Sequence, residues 1–296
     1  MKLVAYHYSG SPSFGLLRGE GRILDLPAAF GLLGLPVPQI LEELLSLGEA
    51  GLETARHVDR DISPGDAATA MRAAHEVRLL APVRRPGKIV AIGLNYMDHC
   101  REQKVQPPAL PILFTKLPNS VADPESPISW DGRLTRKVDF EAELGVVIGT
   151  KARSVSAERA LDYVAGYTAV NDISARDLQF SDGQWVRGKS LDSFCPMGPV
   201  LVTRDEIPDP QHLRIRCSVN GTVYQDSSTS EMIVPVARLI EFITEGITLE
   251  PADVIATGTP HGVGVFRTPP VYLRDGDEVC VEIEGIGELR NRCSVH

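Results

Sequence analysis

No apolar run in this 296-residue chain reaches the ~18–20 residues that a membrane-spanning helix needs, which argues against a membrane partner. The opening residues, Met1 to Tyr8, turn polar too soon for a secretory leader. Cysteine is scarce: Cys100, Cys195, Cys217, Cys280 and Cys293 are odd in number and form no C-x-x-C pair. That argues against a zinc ribbon or a disulfide framework and, with no leader, predicts a cytoplasmic location. Asn220-Gly221-Thr222 matches a glycosylation acceptor, a match without meaning in that setting. Positive charge is in deficit, with 30 Lys and Arg against 39 Asp and Glu and a net charge of −9. A nucleic-acid partner wants the opposite balance. A small acidic substrate stays compatible, provided that it meets a local positive centre, either a bound cation or a few placed Lys and Arg. Internal repeats and low-complexity tracts are absent.

What is present suffices for a sizeable core, since apolar residues make up 43% of the chain. Residues 1–26 read as short strands, Met1–Tyr8, Phe14–Arg18 and Arg22–Leu26, separated by Gly, Pro and Ser. Residues 38–78 read as helical, and Ser63-Pro64 opens a third helix there. This block lacks clustered Asp, Glu, His or Cys and reads as a small accessory domain, residues 1–82, ending in the linker Pro82–Gly87. Beyond it the chain turns β-rich, with strands expected over Lys88–Leu94, Val138–Gly149, Val164–Asn171, Val200–Thr203, Leu213–Val219, Val254–Thr257 and Glu278–Ile283. Asn220-Gly221 is a type I′ hairpin signal. The second block, 83–296, is expected to be a β-sandwich or barrel with a few short helices.

The strongest local signal is Val138-Asp-Phe-Glu-Ala-Glu-Leu-Gly-Val-Val-Ile-Gly149. Strand alternation puts Phe140, Ala142 and Leu144 on one face and Asp139, Glu141 and Glu143 on the other, with neighbours ~7 Å apart. Stacked carboxylates repel, so they need solvent, a basic partner or a cation. Oxygen-only ligands suit Mg²⁺, Mn²⁺ or Ca²⁺ over zinc, while an exposed face balanced by Arg136 and Lys137 fits the same letters. Asp172, at the end of an apolar strand, is a further candidate ligand. Ser174-Ala-Arg-Asp177 resembles a capping box, and Arg176 and Gln179 then share one helical face, able to donate to a substrate carboxylate.

Asn95 is a plausible N-cap for a helix on which His99 and Glu102 share a face. A carboxylate beside an imidazole fixes its tautomer, the general-base arrangement, although an exposed surface pair has the same spelling. Gly183 to Ser190 spells G-x-x-x-x-G-K-[ST], but no buried strand precedes it and Trp185 and Val186 are bulky for a phosphate loop. Nucleotide binding is therefore rejected and Lys189 kept as a lone cation. Thr257 to Gly264 is a Gly-rich turn whose N–H groups could face an anion. Its His261 has no acidic residue within four positions to orient it.

Together these segments resemble the fumarylacetoacetate hydrolase family. The matching stretches run from Lys88–Tyr96 and Asp98-His99 through Asp139–Glu143, Ala165-Gly-Tyr167, Asn171–Asp177 and Gln179. They continue with Gly188-Lys189-Ser190, Asp192, Pro196–Pro199, Val219–Gly221 and Gly258–Gly264, in order over about residues 83–296. The resemblance implies an α+β, mainly β fold, a mixed β-sandwich roll with a small α/β N-terminal domain, and a homodimer. It implies a divalent metal, Mg²⁺ most often, on Glu141, Glu143 and Asp172. The catalytic pair falls on His99 and Glu102, the substrate-stabilising lysine on Lys189, and substrate contacts on Arg176, Gln179 and Thr259. Two departures, Asp123 for a common glycine and Ser228 for a usual asparagine, bear on substrate fit. The implied substrate is a small 2-oxo acid. The intact His–Glu pair favours metal-dependent hydrolysis of a C–C bond in a 2,4-dioxo acid of the acylpyruvate or fumarylpyruvate type. Decarboxylation or isomerisation of a 2-oxo diacid, oxaloacetate-like or of the 2-hydroxyhepta-2,4-diene-1,7-dioate type, is the alternative on the same platform.

Overall fold

The computed structural model describes residues 1–19 and 21–296. The short apolar runs at the start form three antiparallel strands, β1 (Lys2–Tyr8), β2 (Ser11–Arg18) and β3 (Arg22–Asp25). A helix not foreseen follows, α1 (Leu26–Leu32), where Asp25 accepts from the Ala28 N–H at 2.8 Å and Pro27 sits in the first turn. The helical block is present as α2 (Leu41–Ser46), α3 (Glu49–Asp61) and α4 (Pro64–Ala70), the last capped by Ser63 as its Pro64 start predicts. The helical reading fails beyond residue 70. There β4 (Met71–Ala73) and β5 (Arg78–Leu80) pair with β3 and β1, because ladder pairing outweighs weak local helix preference.

The rest of the chain supplies β6 (Ile89–Gly93), α5 (Met97–Gln103), β7 (Ile112–Lys116), β8 (Val121–Ala122), β9 (Ile128–Trp130), β10 (Val138–Asp139) and β11 (Ala142–Ile148). Then come α6 (Ala157–Ala160), β12 (Val164–Asn171), β13 (Ser174–Ala175), α7 (Arg176–Ser181), α8 (Val186–Lys189) and β14 (Cys195–Thr203). The chain ends with β15 (Arg214–Val219), β16 (Thr222–Ser228), α9 (Val236–Gly246), β17 (Val254–Ala256), β18 (Glu278–Ile283) and β19 (Gly287–Val295). Asn220 and Gly221 take φ of 50° and 78° between β15 and β16, the double left-handed turn that only such a pair adopts without strain.

A 12-stranded sheet runs β4-β3-β2-β1-β14-β12-β11-β17-β6-β7, with β5 on β1 and β8 on β14. It is mixed, since β17 runs parallel to β6 and antiparallel to β11. A five-stranded sheet, β16-β15-β18-β19-β9, covers one face. Leu144, Val146 and Ile148 of β11 share a core with Ile215, Val281 and Leu289 of that second sheet, and α9 adds Leu239 and Ile240. Val147 faces a second core with Leu52, Phe30 and Leu201. β11 is thus buried on both faces, and its carboxylate, Glu143, has no solvent to turn to. β1 pairs with β14, Leu3 opposite Leu201, so the sheet of the first block continues into that of the second. The result is the sheet-rich α+β class expected from the sequence.

Candidate active site

Glu141 lies in the break between β10 and β11, Glu143 at the start of β11, and Asp172 just past β12. All three are buried, and one oxygen of each lies within 4.8 Å of the others. The backbone fixes them: the Asp172 N–H donates to the Glu141 carbonyl at 2.9 Å, and the Gly258 N–H donates to the Glu143 carboxylate at 2.9 Å. A solvated face balanced by Arg136 and Lys137 is excluded, because those side chains are exposed and the carboxylates are not. Asp139 leaves the group. It accepts from the Gly264 and Val265 N–H groups at 2.8 and 3.0 Å and pairs with Arg176 at 2.8 Å.

Three buried cations answer these charges. Arg176 also reaches Glu141 at 2.7 Å and donates to the Gln179 side-chain oxygen at 2.9 Å. Lys189 Nζ bridges Glu141 and Asp172 at 2.7 Å each. Lys116, 0% exposed, donates to Asp172 at 2.6 Å and to the Lys189 carbonyl. Four carboxylates therefore meet three cations. Burial opposes ionisation of Glu141, yet Lys189 and Arg176 pull it down to about 2. Burial, then the charges of Asp172 and Glu141, push the Glu143 carboxyl well above its ordinary range. Burial works against the Lys189 charge, while Asp172 and Glu141 hold it above the usual lysine value. A rigid, oxygen-only set whose fourth carboxyl, Glu143, has no cation of its own and resists ionisation for that reason fits a hard divalent cation, which would take the place of its proton. Sequence reasoning missed Lys116. Its strand was legible in Pro111-Ile-Leu-Phe-Thr-Lys116, a β-prone run behind a proline.

Two local expectations fail here. Ser174 does not cap α7: it is drawn into β13, and its hydroxyl donates to the Asp172 carbonyl at 2.9 Å, while Asp177 accepts from Thr135 at 2.6 Å. Asn95 does not cap α5 either. It is buried, donating to the Val234 and Thr257 carbonyls at 3.1 and 2.8 Å. The P-loop rejection stands, since α7 and a turn, not a strand, precede α8.

On α5, His99 is buried and its Nδ1 lies 2.9 Å from Glu102, so the two form a pair. The other nitrogen, Nε2, accepts from the Gln103 side-chain amide at 2.7 Å, and the Phe266 ring packs edge-on at 5.8 Å. Glu102 also accepts the Gly262 N–H at 2.9 Å. Asp98 accepts from Ser227 at 2.6 Å and lies 2.8 Å from His261 Nδ1. His261 therefore has an acidic partner after all, supplied from 163 positions away.

His99, Glu141, Glu143, Arg176, Gln179, Lys189 and Thr259 line one cleft. Glu102 backs His99 and Asp172 lies beneath Lys189. Thr259 accepts from Gln225 at 2.8 Å, and Gln225 in turn accepts the Ala142 N–H at 2.8 Å. The rim is apolar: Leu94, Phe180, Trp185 and Phe266. Trp185 rests on Gly93 so closely that a Cβ there would meet its ring at 2.5 Å. The two departures sit elsewhere. Asp123 accepts the Ala81 N–H at 2.9 Å and pairs with Arg84, tying down the connecting segment. Ser228 accepts the Ser230 N–H at 3.2 Å. Neither lines the cleft, so the expected effect on substrate fit is not supported.

Residues 88–294 match the model of the fumarylacetoacetate (FAA) hydrolase C-terminal family. A mitochondrial oxaloacetate tautomerase from Xenopus laevis is 44% identical over 98% of this chain and 89% of its own. The solved fumarylacetoacetate hydrolase from Exiguobacterium antarcticum superposes with a TM-score of 0.85 at 38% identity, covering 100% of both chains. The 2-hydroxyhepta-2,4-diene-1,7-dioate isomerase from Mycobacterium marinum gives a TM-score of 0.75 at 37% identity, over 100% of this chain and 98% of its own. With its buried carboxylate triad and His–Glu pair around one cleft, the chain belongs to the fumarylacetoacetate hydrolase family.

Proposed function

We propose that this protein is a Mg²⁺-dependent tautomerase of a small 2-oxo diacid of the oxaloacetate type. The observation that carries the reading is one cleft lined by His99, Lys189 and two of the three triad carboxylates, with Glu102 and Asp172 directly behind them. A divalent cation on Glu141, Glu143 and Asp172 would supply the charge that stabilises an enolate. Arg176 and Gln179 present donors to the substrate carboxylate, and Lys189 supports the developing oxyanion. His99, held by Glu102, takes the proton from C3 and returns it to the enol oxygen, or the reverse, so nothing is consumed. The Xenopus laevis relative is named an oxaloacetate tautomerase, which weighs toward proton transfer and against the hydrolysis that the His–Glu pair alone favours. C–C hydrolysis of an acylpyruvate remains the second reading, supported by that same intact pair.

The test follows the ultraviolet absorbance of enol-oxaloacetate with Mg²⁺. Ketonisation should outrun the buffer reaction by orders of magnitude, and acetylpyruvate should be cleaved far more slowly. Rapid acetylpyruvate cleavage without ketonisation would reverse the order of the two readings. Mn²⁺ or Ca²⁺ in place of Mg²⁺ addresses the metal, and light scattering addresses the implied homodimer.

A further inference from the structure

His99 has two ring nitrogens, and both are taken. Nδ1 faces Glu102 at 2.9 Å, which leaves Nε2 as the acceptor, and Nε2 receives the Gln103 amide at 2.7 Å. A water about to be deprotonated by Nε2 would have to stand at that hydrogen-bond distance. The amide of Gln103 occupies the station. Phe266 closes one side of the ring and His99 is 5% exposed, so a second approach is narrow. The helix itself cannot easily shift, since Asp98 and Glu102 tie α5 to Ser227, His261 and Gly262. Gln103 stands apart from that latch: it is the last residue of α5, its side chain is half-buried, and Lys104 after it turns into the left-handed region and ends the helix.

We propose that Gln103 is a positioning residue that keeps water off Nε2 and so confines His99 to proton transfer with the substrate carbon. Substrate exchanges with the amide as a single partner; the amide swings aside, and no attacking water takes its place. The proton taken from C3 goes to Nε2 and from there to the enol oxygen, with no bond between carbons broken. This rests on the tautomerase reading above and explains how one His–Glu pair serves it in preference to hydrolysis.

The experiment compares wild type with Gln103→Met, which keeps the bulk and loses the donor, and with Gln103→Ala. Two rates are read on each, ketonisation of oxaloacetate and cleavage of acetylpyruvate, together with the ¹⁵N spectrum of histidine-labelled protein, His99 being assigned from His99→Ala. The ratio of cleavage to ketonisation should rise at least about fivefold in Gln103→Met, the weight of one hydrogen bond, and further in Gln103→Ala. The His99 Nε2 resonance should move toward that of a free acceptor. A purely structural role would lower both rates together and leave the ratio alone. A ratio within twofold of wild type in both variants overturns the proposal, as does an unchanged Nε2 resonance. Wild-type protein that fails to ketonise oxaloacetate overturns instead the tautomerase reading on which it stands.

Discussion

At the residue scale, the cluster around Asp172 separates groups that hold the site from groups that do chemistry. Among the described residues, Lys116 Nζ hydrogen-bonds Asp172 and the Ile173 and Lys189 carbonyls, and Lys116 does not line the cleft. Lys116→Met should cost about 3–5 kcal/mol, the loss expected when one partner of a buried ion pair is removed, and calorimetry reads it as a lower Tm. Lys189 lines the cleft and stands where it competes with a cation for Glu141 and Asp172. Lys189→Met should therefore tighten Mn²⁺ binding while turnover falls roughly 10²–10³-fold; weaker Mn²⁺ binding would contradict that placement. His99→Ala should lower ketonisation by roughly 10²–10⁴-fold, the range for a lost general base, and Glu102→Gln by less, since the imidazole remains. Glu143 carries the pH dependence. Its folded value is raised, so the proton it holds stabilises the metal-free fold at low pH, and that contribution is lost as pH rises through the raised value. Metal must displace the same proton. Mn²⁺ affinity should thus climb with pH above the ordinary glutamate range, releasing about one proton per ion. Titration calorimetry in buffers of different ionisation heat measures the release, and Glu143→Gln should flatten it.

At the element scale, what could be read from the letters was whatever is encoded locally. The alternation in Val138–Gly149 announces β11 and puts Glu141 and Glu143 on one side, and Asn220-Gly221 announces its hairpin. Elements and caps decided by distant partners are not written in the local sequence. Asn95 forsakes α5 for Val234 and Thr257, and Ser174 is claimed by a strand pair with β10. The acid that orients His261 sits on α5, beyond the reach of any local pattern. That contact makes α5 a latched element, held through Asp98 and Glu102 to the turn after β17. His261→Ala and Asp98→Asn should loosen the latch without touching the cleft. KM should rise several-fold, in line with about one lost hydrogen bond, while kcat stays within about twofold. A fall in kcat as large as that of His99→Ala would instead put His261 in the chemistry.

At the scale of the whole molecule, the first block shares a sheet with the second. Val147, Ala165, Val170 and Leu201 from the later block pack in one core with Phe14, Phe30 and Leu52 from the earlier one. A fragment of residues 83–296 would bare that face and free an edge of β14. It should aggregate or melt without a cooperative transition in circular dichroism, whereas a sharp transition in the fragment would show that the later block stands alone. The same architecture distributes the chain's two tryptophans unequally. Trp130 is buried against Phe194 in the interior, ring centres 6.4 Å apart. Trp185 sits over Gly93 at the cleft rim, edge-on to Phe114 at 5.2 Å. The molecule therefore carries two optical channels of its own. Emission from Trp185 should respond to whatever enters the cleft and emission from Trp130 to loss of the fold, and Trp130→Phe or Trp185→Phe should isolate the other channel, so that occupancy and unfolding are watched in one cuvette without a dye.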